Sequence, residues 1–247
     1  MLLLDAGNSV IKAQWWCGNE LQYSFACRVI IGWQTGFEAC LREVDASHCH
    51  YCAGQVDQLE TDLLYSLGKF FKPKNMQKFV SLHSSHGVIN AYRSAAGLGV
   101  DRWLCLLAAA RLISQDAVIV DAGSAITVDL LRSDGQHLGG AILPGFNTSI
   151  ARFRQILHRV DFEHTDIGKN DEPGCSTEAC IQIDYGPTNE ATVTKLIDRW
   201  SERLAPDAAL IVTGGDAVSI KSHHFDNIRI IPDLVFQGMR RQLENQE

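Results

Sequence analysis

Apolar and polar positions alternate along this chain in two rhythms, one of period two and one near 3.6. Residues 2–4 are an unbroken leucine run, and 11–16 (IKAQWW) return as a strand after a short polar turn. Residues 34–44 (QTGFEACLREV) carry helical spacing, 48–52 (HCHYC) alternate, and 57–70 (DQLETDLLYSLGKF) are helical again, leading to a strand over 78–82 (KFVSL). After a loop containing Tyr92, residues 101–114 (DRWLCLLAAARLIS) are apolar on nearly every side, as in a buried helix. A second cycle follows. Residues 117–131 (AVIVDAGSAITVDLL) read as strand, turn and strand, 147–159, 176–183 and 188–204 as helices, and 209–217 (ALIVTGGDA) as a strand entering a glycine turn. Such alternation predicts an α/β fold. No low-complexity linker interrupts it, so a boundary near residue 115 must be short and packed.

Within this pattern one plan occurs twice. LLLDAGNSVIKAQW and VIVDAGSAITVDLL each run from an aliphatic strand through Asp-Ala-Gly into a small, hydroxyl-bearing turn and a returning strand. Two copies about half a chain apart indicate duplication. The turn chemistry suits phosphate. Gly7 and Gly123 permit close backbone approach, successive N–H groups form an anion-binding concavity joined by the hydroxyls of Ser9 and Ser124, and Lys12 adds a positive charge. A carboxylate such as Asp5 or Asp121 repels phosphate unless a cation lies between, as Mg2+ does when held by one or two carboxylates and phosphate oxygens. The two turns therefore read as the two sides of an ATP–metal clamp. No G-x-x-x-x-G-K-[ST] or G-x-G-x-x-G segment is present.

Composition narrows the picture. With 247 residues, 46% of them apolar and 21% charged, the chain can bury a core. A net charge of −7 and the lack of any basic block argue against a nucleic-acid partner. Only four apolar residues precede Asp5, too few for a signal peptide, and no run approaches the ~18 apolar residues of a membrane span. These features describe a cytoplasmic protein without a membrane partner. The eight cysteines, among them Cys17, Cys27, Cys40, Cys105 and Cys180, are scattered as reduced, small hydrophobes are in such proteins. His48 to Cys52 is the one metal-like cluster, but a lone C-x2-C is weak; as a strand it turns His48, His50 and Cys52 to one face and Cys49 and Tyr51 to the other, and it reads as core strand. His83, His86 and the His223–His224 pair read as loop residues.

Taken together, the motifs resemble those of the type III pantothenate kinases, in the acetate and sugar kinase/heat-shock ATPase/actin superfamily. That family carries Asp-x-Gly-Asn-Thr-x-x-Lys, here DAGNSVIK, and a tyrosine followed by Leu/Val-Gly-x-Asp-Arg, here Tyr92 and LGVDR. It has Asp-x-Gly-Thr-Ala-x-Thr-x-Asp, here DAGSAITVD, then Gly-Gly-x-Ile-x-Pro-Gly, here GGAILPG at 139–145, and Thr-Gly-Gly-Asp-Ala, here 213–217. The motifs stand in family order from residue 5 to 217. The resemblance implies two ribonuclease H-like (actin-like ATPase) halves, 1–115 and 116–247, each a mixed sheet flanked by helices, with an ATP cleft between them. It implies phosphorylation of the primary hydroxyl of pantothenate by ATP with Mg2+, the first step of coenzyme A synthesis, by a homodimer activated by K+ or NH4+.

Residue by residue, the resemblance assigns ATP contacts to Asp5, Ala6, Gly7, Asn8, Ser9, Val10, Ile11, Lys12 and Ser124, the monovalent cation to Asp121, and pantothenate contacts to Tyr92, Gly99, Val100, Asp101, Arg102 and Thr177. Asp101 matches the general base. The sequence alone leaves Asp101 equally open to being a helix-terminal charge favoured by the macrodipole; the match favours the base. Thr177 is equally suited to capping a helix, and TGGDA falls near the adenosine. Departures are the serines at 9 and 124 in place of threonine, Ala95 in place of a proline after the tyrosine, and a weakened pattern beyond Thr177, with Asp184 where a glycine is usual. Two other readings stand beside the kinase: a regulatory homologue that binds ligand without turnover, which intact Asp101 and Lys12 oppose, and an actin-like ATPase of conformational output, for which the chain is too compact.

Overall fold

The structure is a computed structural model; it describes residues 1–54, 57–146, 148–149, 155, 173, 175–176, 180, 185–225 and 228–244. These fall into two compact units. The first comprises Met1–Leu112, Asp134–Gln136 and Asp233–Glu247, and the second Ile113–Ser133 and His137–Pro232. The C-terminal segment, which a division at 115/116 leaves with the second half, thus packs with the first unit.

In the first unit, the leucine run forms β1 (Leu2–Ala6), which turns into β2 (Val10–Cys17) and β3 (Glu20–Arg28). Helix α1 (Trp33–Leu41) leads to β4 (Cys49–Ala53), and α2 (Asp57–Leu67) to the short β5 (Met76–Lys78). The sheet order is β3-β2-β1-β4-β5, with the first three strands antiparallel and β4 and β5 parallel to β1 and β4 in turn. Leu2, Leu3 and Leu4 are wholly buried, as a central strand covered on both faces requires. On one face Leu2, Leu4, Cys49, Tyr51 and Ala53 pack with Phe37 and Leu41 of α1 and Leu63 and Leu67 of α2. The HCHYC run therefore does alternate, with Cys49 and Tyr51 in that core.

A small hairpin, β6 (Ser84–Ser85) and β7 (Val88–Ile89), precedes α3 (Val100–Leu112). His86 lies at its tip with a positive φ of 52°. The strand expected over 78–82 is corrected: the ladder ends at Lys78, and after one further bond from the Phe79 N–H to the Tyr51 carbonyl the backbone leaves the sheet, with Val80 and Leu82 exposed.

The second unit repeats the plan. β8 (Ala117–Ala122), β9 (Ala125–Leu131) and β10 (His137–Pro144) form an antiparallel meander, and α4 (Tyr185–Ser201) precedes β11 (Ala209–Thr213) and β12 (Ile228–Ile230). The order β10-β9-β8-β11-β12, with β11 parallel to β8 and β12 to β11, matches the first sheet strand for strand. Val118, Val120, Ile126 and Val128 meet Val193 and Ile197 of α4. Two buried carboxylates secure the sheet's margin. Asp116 accepts the Ser133 and Ala205 N–H groups at 2.7 and 2.9 Å, and Asp129 lies 2.9 Å from the fully buried His137 Nε2. The helices expected over 147–159 and 176–183 lie largely outside the described residues. All eight cysteines are free, and Cys17 and Cys180, read as small hydrophobes, are exposed.

The chain closes with α5 (Leu234–Leu243), which packs on α3 in the first unit. Gly238 lies at the crossing, where a Cβ would overlap the Leu104 carbonyl. Alanine in mid-helix ordinarily gains about 1 kcal/mol over glycine. Here overpacking reverses the sign, and Gly238→Ala is expected to destabilise the first unit by about 1–3 kcal/mol in denaturant unfolding; a stabilised variant would place the helix crossing elsewhere.

Candidate functional site

Asp5 ends the buried run of β1, where the chain must turn. The Gly7 N–H donates to the Val10 carbonyl at 3.1 Å, and the Val29 N–H to the Ser9 carbonyl at 2.9 Å, leaving Gly7, Asn8 and Ser9 exposed at the tip. Ala6 and Ile11 flank the turn with their side chains in the core, so what they offer a ligand is backbone. Lys12 stands directly across the sheet from Asp5. On the other side, in parallel register, stands Cys52, whose Sγ donates to Asp5 Oδ1 at 3.3 Å. Burial raises the Asp5 carboxyl above the usual carboxylate range; the Cys52 S–H and the Lys12 charge pull it down, and Asp101 pushes it up. The two carboxylates are thus within electrostatic reach of each other, although Asp101 arrives on α3.

The segment that delivers Asp101 is held from behind. Asn90 accepts the Tyr92 N–H at 2.9 Å and donates to the Leu82 and Ala95 carbonyls, and the buried Ser81 hydroxyl donates to the Leu98 carbonyl. Gly99 and Val100 lead into α3, whose first bond runs from the Trp103 N–H to the Gly99 carbonyl at 3.0 Å. Asp101 Oδ1 accepts the adjacent Arg102 N–H at 2.9 Å. The Arg102 side chain, 4% exposed, donates from Nη1 to the Tyr92 hydroxyl at 3.0 Å, with its guanidinium 5.8 Å from the ring centre. Tyr92 and Arg102, read from sequence as separate contacts, form one unit. Ser81, Asn90 and Cys52 were not singled out as site residues. An Asn two residues before a tyrosine is an Asx-turn signal, whereas Ser81 and Cys52 find their partners only through tertiary pairing.

The second turn gathers three motifs within its own unit. The Gly123 N–H donates to the Ala125 carbonyl at 3.1 Å, closing a turn one residue tighter than the first. Register then sets Thr127 opposite Asp121, where the first unit has Lys12 opposite Asp5. The exposed Ser124 uses its carbonyl to accept the Gly145 N–H and the Thr148 hydroxyl, at 3.1 and 2.7 Å. β11 runs beside β8, so Gly214 (φ 95°) reaches Asp121, and a Cβ on it would fall 2.6 Å from Asp121 Oδ1. The Asp216 N–H donates to the Ala122 carbonyl. GGAILPG and TGGDA therefore converge on DAGSA. Thr177 lies outside the described residues.

Among the described residues no three His, Cys, Asp or Glu side chains cluster as a metal site. A metal carried in with nucleotide phosphates needs only one or two protein carboxylates, and Asp5, a half-buried carboxylate strained by a like charge, fits that use.

A family model described as type III pantothenate kinase matches residues 1–199. The chain belongs to the type III pantothenate kinase family. A type III pantothenate kinase from Pseudomonas aeruginosa is 30% identical over 97% of both chains, and one from Teredinibacter turnerae 32% identical over 96% of both. The activator of 2-hydroxyisocaproyl-CoA dehydratase from Clostridium difficile, solved with bound ADPNP, superposes with a TM-score of 0.51 over 98% of this chain and 92% of that one. At 12% identity it shows the fold alone, an α/β architecture with two mixed sheets. As a type III pantothenate kinase, the protein phosphorylates pantothenate at the expense of ATP, in coenzyme A biosynthesis.

One glycine in this site has an effect on chemistry rather than on folding. A Cβ at Gly99 would fall 2.6 Å from Asp101 Oδ1, and the group that yields is the carboxylate. Gly99→Ala is expected to leave the thermal midpoint nearly unchanged; with Asp101 as the general base proposed below, it lowers kcat by about 10- to 100-fold. Unchanged kcat would show that the carboxylate orientation seen here is not the working one.

Proposed function

We propose that Asp101 is the general base for transfer of the ATP γ-phosphoryl group to the primary hydroxyl of pantothenate. The observation that carries this reading is the placement of Asp101 in the first turn of α3, with Oδ1 accepting the Arg102 N–H at 2.9 Å and the Arg102 side chain tied to the Tyr92 hydroxyl at 3.0 Å. In-line phosphoryl transfer asks for positioning and charge stabilisation, with one carboxylate orienting the hydroxyl and taking its proton. Asp101 takes that proton as the substrate oxygen bonds to phosphorus and the bond to the ADP oxygen breaks. The residues from Asp5 to Lys12 hold the phosphates through N–H groups, hydroxyls and the Lys12 ammonium, and Ser124 is read as an ATP contact by resemblance to the family. Mg2+, when bound with ATP, supplies positive charge to the phosphate oxygens, and Asp5 is the residue that would hold it. Asp121 would hold the activating monovalent cation, K+ or NH4+.

Pantothenate is itself an anion, and Arg102 with the Tyr92 hydroxyl gives its pocket a rigid cationic wall bordered by Gly99 and Val100. Thr177 completes the contacts by resemblance to the family. On the same ground the enzyme is read as a cytoplasmic homodimer; no helix among the described residues is long and apolar enough to cross a membrane.

Asp101→Asn is expected to retain ATP binding by calorimetry and to lose about 100-fold or more in pantothenate-dependent ADP release; turnover near wild type would reject Asp101 as the base. Replacing potassium by sodium should depress the rate of the wild-type enzyme, and equal rates in the two buffers would remove Asp121 from that role. Light scattering at the mass of one chain would reject the dimer.

A further inference from the structure

Two cysteines of β4 sit in different chemistry. Cys49 is buried among apolar side chains, and burial alone pushes its thiol up to about 12. Cys52, on the other face, is 1% exposed and lies against the Asp5 carboxylate. Its Sγ is 3.3 Å from Asp5 Oδ1, and the parallel pairing of β1 with β4 sets the two residues side by side.

We propose that Cys52 is a positioning residue for Asp5, its S–H fixing Oδ1 so that the carboxylate presents Oδ2 to the ligand. The alternatives for a cysteine at this place fail on the same geometry. A nucleophilic or oxidisable thiol must be reached by solvent, but this one is 1% exposed. A metal-binding thiolate has no companions, since no three-ligand cluster exists among the described residues. What remains is an S–H donor, weak in general and strengthened by a carboxylate acceptor, with its Sγ 3.3 Å from Asp5 Oδ1.

A fixed rotamer matters here because Asp5 has a choice. Lys12 attracts the carboxylate and Asp101 repels it, so without the third contact it has freedom to turn toward the lysine. The S–H bond approaches from β4, on the side of β1 opposite Lys12, and opposes that turn.

The proposal rests on the reading of Asp5 as the residue facing Mg2+ and the phosphates, and the experiment separates the two. Infrared difference spectra between wild type and Cys52→Ser should show an S–H stretch lowered in frequency by its carboxylate acceptor, which moves back up in Asp5→Asn. Calorimetric titration with Mg2+-ATP should find Cys52→Ala weakened by about threefold to tenfold, the loss of one hydrogen bond to a charged group. Cys52→Ser, which keeps a donor, should bind within about twofold of wild type. An S–H band indifferent to Asp5→Asn overturns the proposal, as do equal losses in the alanine and serine variants or wild-type affinity in Cys52→Ala. Wild-type Mg2+-ATP affinity in Asp5→Asn instead overturns the reading of Asp5, and the proposal with it.

Discussion

A carboxylate held at the end of a buried strand is the constraint on which the first glycine turn depends: burial disfavours the charge of Asp5, and Asp101 adds to that cost. Asp5 and Asp101 repel, and burial weakens the water that would otherwise screen them. Each is placed by an element that cannot easily yield. Asp5 ends a strand whose three leucines are locked between two layers, and Asp101 opens a helix whose residues 102–109 are buried. Around the pair the chain sets compensating groups: Lys12 across one strand, the Cys52 thiol across the other, and the Arg102 N–H on Asp101 itself. The stability of the core is what allows a carboxylate to persist where burial disfavours its charge.

The sheet order explains why this happens at β1. Its neighbour on one side is antiparallel and on the other parallel, so the strand lies where the direction of chain progress reverses. In open α/β sheets such switch points leave a crevice beyond the carboxyl end of the strand. The hairpin to β2 brings a turn to that end and the parallel strand β4 brings a side chain beside it. β8 has the same surroundings, and there the carboxyl end collects the DAGSA turn, the Pro144–Gly145 corner and the TGGDA turn. The turns themselves differ by one residue, which puts Lys12 opposite Asp5 and Thr127 opposite Asp121. Duplicated topology has thus diverged by a single position into one turn with a lysine and one without.

Most of this was legible wherever a local pattern carried it. The leucine run, the apolar segment over 101–114 and the alternation of HCHYC all fix a periodicity that burial then enforces, and the observed elements follow within a few residues. β3 was not legible because it is an edge strand, exposed along most of its length, and so carries no core face to read. α5 was hidden by Gly238, which breaks the helical pattern for a reason that lies in α3. The segment 78–82 misled because Phe79 is a core residue and its neighbours Val80 and Leu82 are apolar yet exposed. In the site, the turns and LGVDR were readable as motifs, whereas the bonds of Cys52, Ser81 and Asn90 come from strand pairing and loop packing that no single segment encodes.

That division between motif and support has a chemical meaning. The residues a motif names present groups to a ligand, while the unnamed ones decide where those groups point. Tyr92 shows both sides. Its N–H is bound by Asn90, which also ties two carbonyls of the loop, and its hydroxyl accepts from Arg102, the residue next to Asp101. The chain from Asn90 through Tyr92 and Arg102 to Asp101 is continuous in hydrogen bonds or covalent bonds. A displacement of the loop therefore reaches the Asp101 carboxylate without crossing solvent, and interactions of this kind act on the orientation of that carboxylate. The family signature marks the end of that chain nearest the chemistry, and its origin lies in an asparagine on the far side of the loop.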